Sequence, residues 1–119
     1  MTTVDQFLDA LAMVESSNNP QAWGDGGRAM GRWQVHSDRL WSECAKYKIA
    51  PQLGETWDSL VRRVLIRIFN GEGFYSPAAR IAMYWHLGHW CGELDKDWDA
   101  AYADKFNAAL ARAIGGAGE

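Results

Sequence analysis

The chain of 119 residues has few of the residues that define several protein classes, with only two cysteines, Cys44 and Cys91, and three prolines. Two cysteines are too few for a disulfide scaffold, so we expect both thiols to be reduced and mostly buried. No apolar run approaches the roughly 20 residues of a membrane span, which argues against membrane insertion. The net charge of −3 argues against nucleic acid held through phosphate contacts.

What the chain does contain suits one folded domain over residues 1–119. Apolar residues make up 48% of it, which is enough for one sizeable core, and we find no repeat or interdomain linker. We expect a monomer. Seven tryptophans is a high count for this length. Some must lie in the core, but exposed aromatic faces also stack on sugar rings.

Apolar periodicity predicts a mainly α fold of about five helices. The first begins at about Val4, after the capping-box pair Thr3 and Gln6, and stops in the turn-rich segment 16–36. In that segment we expect a small hairpin that pairs residues 22–23 with residues 32–35.

The later helices are predicted from their start signals. Ser37 is predicted to cap a short helix with Leu40, Trp41 and Cys44 on one face. The next helix begins at Glu55 or Thr56 and ends at Gly71. The other predicted starts are Ser76-Pro77, with Ser as cap, and Asp99. The helix that follows Pro77 is apolar nearly all round through Trp90, which predicts a central, buried helix.

Two carboxylates carry the chemistry that the sequence suggests. Glu15 ends the first amphipathic segment, and Asp25 follows in a glycine-rich turn, Gly24-Asp25-Gly26-Gly27. Cleavage of a glycosidic bond uses two carboxyl groups, one as the acid and one as base, nucleophile or charge stabiliser. We therefore take Glu15 and Asp25 as candidate catalytic residues.

The segment from Leu11 to His36 resembles the lysozyme-like superfamily, above all lytic transglycosylases and small phage or invertebrate-type lysozymes. The similarity consists of a helix ending in Glu15-Ser16, an Asn19-Pro20 turn, and a Gly-x-x-Gln step at 31–34. The resemblance implies an α+β lysozyme-like fold with its short strands in a minor lobe. It also implies a peptidoglycan-cleaving muramidase that acts on the β-1,4 bond between N-acetylmuramic acid and N-acetylglucosamine.

The same resemblance implies roles for individual residues. Glu15 would be the general acid, and Asp25 would lie across the cleft. Ser16 and Gln34 would bind the sugar or orient Glu15. The implied substrate-stacking and cleft residues are Trp33, with Trp23 as a second candidate, and Tyr84 and Tyr102.

Alternatives stay open at this point. Asp25 favours a lysozyme, because lytic transglycosylases generally lack a second acid and release 1,6-anhydro sugars. A catalytically silent glycan-binding module or phage structural component is the rival outside the enzyme class, and chitin is a further possible substrate. The first ten residues lack the features of a signal peptide, so we expect a chain made in the cytoplasm. It would reach the cell wall after release or within a phage particle.

One group of residues near the end of the fourth predicted helix is of the type that binds metals. His86, His89 and Cys91 lie close together in sequence, but they lack a fourth ligand at zinc spacing. We interpret the two histidines as polar positions near a helix end or a cleft rim, and we expect no metal and no cofactor.

Overall fold

The computed structural model describes residues 2–73 and 76–115. Within those ranges the chain forms five α-helices and one small antiparallel sheet, so the prediction of a mainly α fold is confirmed. In chain order the elements are α1 (Val4–Ser16), β1 (Trp23–Gly24), β2 (Ala29–Met30), β3 (Val35–His36), α2 (Ser37–Tyr47), α3 (Trp57–Glu72), α4 (Ala78–Leu87) and α5 (Ala100–Gly115).

Helix α1 begins where its capping box predicts. The Thr3 side chain accepts a hydrogen bond from the backbone N–H of Gln6, and the Gln6 side chain accepts one from the N–H of Thr3. The helix ends because Ser17 adopts a left-handed conformation with φ 55°. Its apolar face packs on α5 and α3.

The strands form a three-stranded sheet rather than the single hairpin we predicted. Trp23 pairs with Met30, so β1 and β2 flank the glycine-rich turn, and Met30 pairs in turn with Val35 of β3. The prediction of pairing between 22–23 and 32–35 was wrong, because residues 31–34 form a second turn of their own. Gly31 makes that turn possible with φ 85°, and a Cβ there would lie 3.0 Å from the Trp57 ring.

The core lies between α1, α3, α4 and α5. Its largest fully buried side chains include Phe7, Leu11, Leu65, Ile81 and Phe106. Phe7 packs on Phe106 with ring centroids 5.9 Å apart. Both cysteines are free and buried, as predicted.

Helix starts were predicted better than helix ends and faces. Thr56 and Asp99 cap α3 and α5 through their side chains, as expected. Ser76 does not cap α4, since Pro77 takes the cap position. Of the three residues predicted to share one face of α2, Leu40 and Cys44 are buried, whereas Trp41 is exposed.

Three further boundaries differ from the prediction. Helix α2 begins at Ser37, but the cap position before it is His36, which makes no side-chain cap hydrogen bond. Helix α3 ends at Glu72 rather than Gly71. Helix α4 is buried as predicted but stops at Leu87, because Gly88 turns the chain with φ 89°. No helix in the described residues is long and apolar enough to cross a bilayer.

Candidate active site

Glu15 lies in the last turn of α1, and its carboxyl is partly buried. The Tyr102 hydroxyl of α5 donates a hydrogen bond to Glu15 Oε2 at 3.0 Å. Burial raises the pKa of Glu15 from 4.5 to about 7, while the hydrogen bond from Tyr102 lowers it. Because desolvation is the larger effect, a substantial fraction of Glu15 stays protonated near neutral pH.

Tyr102 is held in place by the start of α5. Asp99 caps this helix, because its Oδ1 accepts a hydrogen bond from the backbone N–H of Tyr102 at 3.0 Å. The Tyr102 ring stacks on the His86 imidazole, with centroids 3.9 Å apart and planes 6° from parallel. The pKa of Tyr102 is raised, first by burial and then by the charge of Glu15. The phenol therefore remains a hydrogen-bond donor.

An open pocket of about 250 Å³ surrounds these groups. Its described lining consists of Val14, Glu15, His86, Asp99, Ala101, Tyr102 and Lys105. A larger cavity of about 750 Å³ lies between α4, residues 92–98 and α5, but its described lining includes neither Glu15 nor Tyr102. We place the candidate site at the smaller pocket, because the carboxyl with the raised pKa lies there.

Ser16 fastens the end of α1 to the Gly-x-x-Gln step. Its hydroxyl donates to the carbonyl of Arg32 at 2.6 Å and accepts from the N–H of Asn19 at 3.0 Å. Ser16 is not among the residues that line the Glu15 pocket. Its role in the structure is therefore to hold the helix end that carries Glu15.

Gln34 is likewise bonded to backbone. Its side-chain nitrogen donates to the carbonyl oxygens of Ala22 at 3.2 Å and Gly31 at 2.8 Å. Gly24 leaves room for this side chain, since a Cβ there would lie 2.3 Å from Gln34 Oε1. Gln34 stabilises the sheet lobe and does not line the Glu15 pocket.

Trp33 is a core residue, which corrects the expectation that it stacks on sugars. It is only 4% exposed, and its indole N–H donates to the carbonyl of Leu8 at 2.9 Å. No ring face is left for a substrate. Trp23, by contrast, is 67% exposed and lines a small pocket of about 160 Å³ together with Trp57.

Tyr84 is also placed away from Glu15. Its hydroxyl donates to Glu43 Oε1 at 2.5 Å, and its ring stacks on Trp90 at 4.1 Å. Burial and the bond to Glu43 raise the pKa of Tyr84 to about 12. Of the two predicted cleft tyrosines, the structure brings only Tyr102 to the pocket of Glu15.

Asp25 does not line the pocket of Glu15. Its side chain is 63% exposed, and its Oδ2 lies 2.7 Å from Nε2 of His36. The backbone of Asp25 has φ 51°, a conformation that aspartate tolerates better than most residues. The contacts of Asp25 are those of a turn residue on the sheet lobe.

Three polar residues that line the pocket were not predicted as site residues from the sequence: His86, Asp99 and Lys105. Asp99 was recognised only as a helix cap, and His86 only as a polar position near a helix end. In the structure His86 contacts Tyr102. The one local signal that could have linked Asp99 to the site was its spacing from Tyr102, since the cap of α5 lies three residues before it.

The histidines considered as metal ligands each face an aspartate. His86 Nε2 lies 3.5 Å from Asp99 Oδ2, and His89 contacts Asp97. Cys91 lies instead near Asp95 and Asp97, with possible ligand atoms within 4.8 Å of one another. Asp95 and Asp97 are exposed, and exposed acidic groups commonly lie together without a metal, so we assign no metal to them.

Comparison of the chain with protein-family models, with curated proteins and with solved structures found no match.

Proposed function

We propose that this chain is a glycosidase that cleaves peptidoglycan at the β-1,4 bond between N-acetylmuramic acid and N-acetylglucosamine, with Glu15 as the general acid. The observation that carries the proposal is the partly buried carboxyl of Glu15, whose pKa of about 7 lets it hold a proton in an open pocket. The substrate class comes from the resemblance of residues 11–36 to the lysozyme-like superfamily.

Glu15 would act by giving its proton to the oxygen of the leaving sugar. A general acid works best when its pKa lies near the operating pH, and such a group contributes about 10²- to 10⁴-fold to the rate. The Tyr102 hydroxyl already donates to Glu15 Oε2. As the proton leaves, that hydrogen bond becomes charge-assisted and stabilises the new carboxylate.

A lytic transglycosylase is the second candidate, and the position of Asp25 favours it. The lysozyme alternative depends on Asp25 as the second carboxylate, yet Asp25 contacts His36 and does not line the pocket of Glu15. Asp99 is the other carboxylate there, but it is bonded to the backbone of Tyr102 and faces His86. A transglycosylase needs no second acid, because the acetamido group of the substrate assists and the muramic 6-hydroxyl attacks.

A lysozyme, a lytic transglycosylase and a catalytically silent module can be distinguished by the fragments that they release. Purified peptidoglycan is incubated with the protein, and the soluble fragments are identified by mass spectrometry. Free reducing ends indicate hydrolysis, whereas fragments lighter by one water indicate 1,6-anhydro sugars and transglycosylation. If the protein binds the insoluble peptidoglycan but releases no fragments, the enzymatic proposal is contradicted. A catalytically silent glycan-binding module or phage structural component would then remain. Parallel incubation with chitin tests the alternative substrate.

A further inference from the structure

We propose that His86 is a positioning residue of the Glu15 site, which is held by Asp99 and stacks on Tyr102 so that the phenol hydroxyl stays on the Glu15 carboxyl. This inference rests on the proposed function of Glu15. It adds His86, a residue that is not hydrogen-bonded to the Glu15 carboxyl.

The three side chains come from three different helices. Glu15 ends α1, His86 lies in the last turn of α4, and Tyr102 lies in the first turn of α5. The imidazole and phenol rings are nearly parallel at 3.9 Å. Parallel rings at this separation are in van der Waals contact over their faces. His86 therefore covers one face of the ring whose hydroxyl reaches Glu15.

Asp99 contacts both members of this stack. Its Oδ1 accepts from the backbone N–H of Tyr102 at 3.0 Å, and its Oδ2 lies 3.5 Å from His86 Nε2. The Asp99 carboxylate thus contacts both the backbone of Tyr102 and the imidazole that stacks on the Tyr102 ring. The side chains of a well-formed site are positioned by packing and by hydrogen bonds from surrounding residues. His86 and Asp99 surround Tyr102 in this way.

The consequence of losing the stack can be stated for Glu15 itself. The titratable groups that line the pocket with Glu15 are His86 of α4, Asp99 before α5, and Tyr102 and Lys105 of α5. Among them Tyr102 is the one hydrogen-bonded to Glu15, and that bond lowers the pKa of the carboxyl. If the ring is free to tilt, the bond forms less often and the pKa of Glu15 rises.

The test measures the titration midpoint of Glu15 by carbon NMR of its side-chain carboxyl. Tyr102→Phe removes the hydrogen bond, so the midpoint should rise. His86→Ala should shift it in the same direction by a smaller amount. His86→Phe keeps an aromatic ring against Tyr102, so its midpoint should stay near that of wild type. A shift as large as that of His86→Ala would overturn the role of the stack.

The double variant His86→Ala, Tyr102→Phe separates positioning from a general change in hydration. If His86 acts through Tyr102, the double variant titrates like Tyr102→Phe alone, because contacting residues that act as one unit are not additive. An unchanged midpoint in His86→Ala, or a fully additive shift in the double variant, would overturn the inference.

Kinetics give a second readout if the protein cleaves peptidoglycan. His86→Ala should lower kcat by about two- to fivefold, less than the complete loss of one ordinary hydrogen bond in Tyr102→Phe, with a smaller change in KM. The matched control is His89→Ala, because His89 also faces an aspartate but does not line the pocket. The NMR midpoint does not depend on catalysis. Absence of cleavage alone would refute the proposed function, whereas an unmoved midpoint refutes the role of His86.

Discussion

Replacing Glu15 with glutamine should stabilise the protein, and more so as the pH rises. The native carboxyl has a pKa of about 7 instead of the ordinary 4.5 because it is desolvated. Each tenfold change in a protonation equilibrium is worth about 1.4 kcal/mol. Burying the ionised carboxylate of Glu15 therefore lowers the free energy of unfolding by at most about 3 kcal/mol. Glutamine keeps the size of the side chain and an acceptor for the Tyr102 hydroxyl but carries no charge.

The sign of the effect follows from proton linkage. Between about pH 4.5 and pH 7 the native protein binds more protons at Glu15 than the unfolded chain, so this group makes stability fall as pH rises. Below that window both states hold the proton and the group contributes nothing. Above it both states are ionised and the native state bears the full cost of burying the charge.

Urea unfolding of wild type and Glu15→Gln at several pH values measures this difference. We expect the free energy of unfolding of the variant, minus that of wild type, to increase by about 3 kcal/mol from about pH 4 to pH 8. Glu93→Gln, at an exposed glutamate, reports the effect of removing a surface carboxylate. A difference between variant and wild type that stays constant with pH, or that falls, would refute the assignment of a raised pKa to Glu15.

The remaining predictions concern the cysteines, Asp25, Trp33 and Ser16. The double variant Cys44→Ala, Cys91→Ala should stay folded and lose about 1–3 kcal/mol in denaturant titrations; a collapse reproduced by reducing the wild type would show a disulfide instead. Asp25→Asn should retain near-normal wall cleavage in a turbidity assay, and a loss as large as that of Glu15→Gln would make Asp25 a second catalytic acid. Trp33→Phe should lower the free energy of unfolding by about 1–3 kcal/mol and leave the tryptophan fluorescence response to chitooligosaccharide intact; loss of that response would place Trp33 in the cleft. Ser16→Ala should cost about 1 kcal/mol in urea unfolding, and an unchanged unfolding midpoint would mean that its bond to Arg32 adds no stability.

Local signals in the sequence were sufficient for most helix starts. The capping box of Thr3 and Gln6, and the caps Thr56 and Asp99, act within one turn, so they can be read without knowing the rest of the fold. The sheet was harder. Two adjacent turns, at 24–27 and 31–34, compete to close a hairpin, and only the fold decides that Trp23 pairs with Met30.

The position of Glu15 at a helix end could be predicted from the sequence, but most of its contacts could not. Glu15 could be named from its place at a helix end, whereas its contact with Tyr102 joins residues 87 positions apart. Burial separates the exposed Trp23 from the buried Trp33. Tyr84 and Tyr102 are both buried and differ instead in their partners, Glu43 and Glu15. No local pattern distinguishes the members of these pairs. His86 likewise could be placed near a helix end from the sequence, but its stacking partner comes from another helix.

The most direct test of the central claim compares the rates at which wild type and Glu15→Gln release soluble fragments from purified peptidoglycan at neutral pH. Circular dichroism first verifies that the variant is folded. We expect release by wild type and a rate at least about 10²-fold lower for the variant, because the variant lacks the proton that the leaving oxygen needs. Equal release by a folded Glu15→Gln protein would contradict the assignment of Glu15 as the general acid.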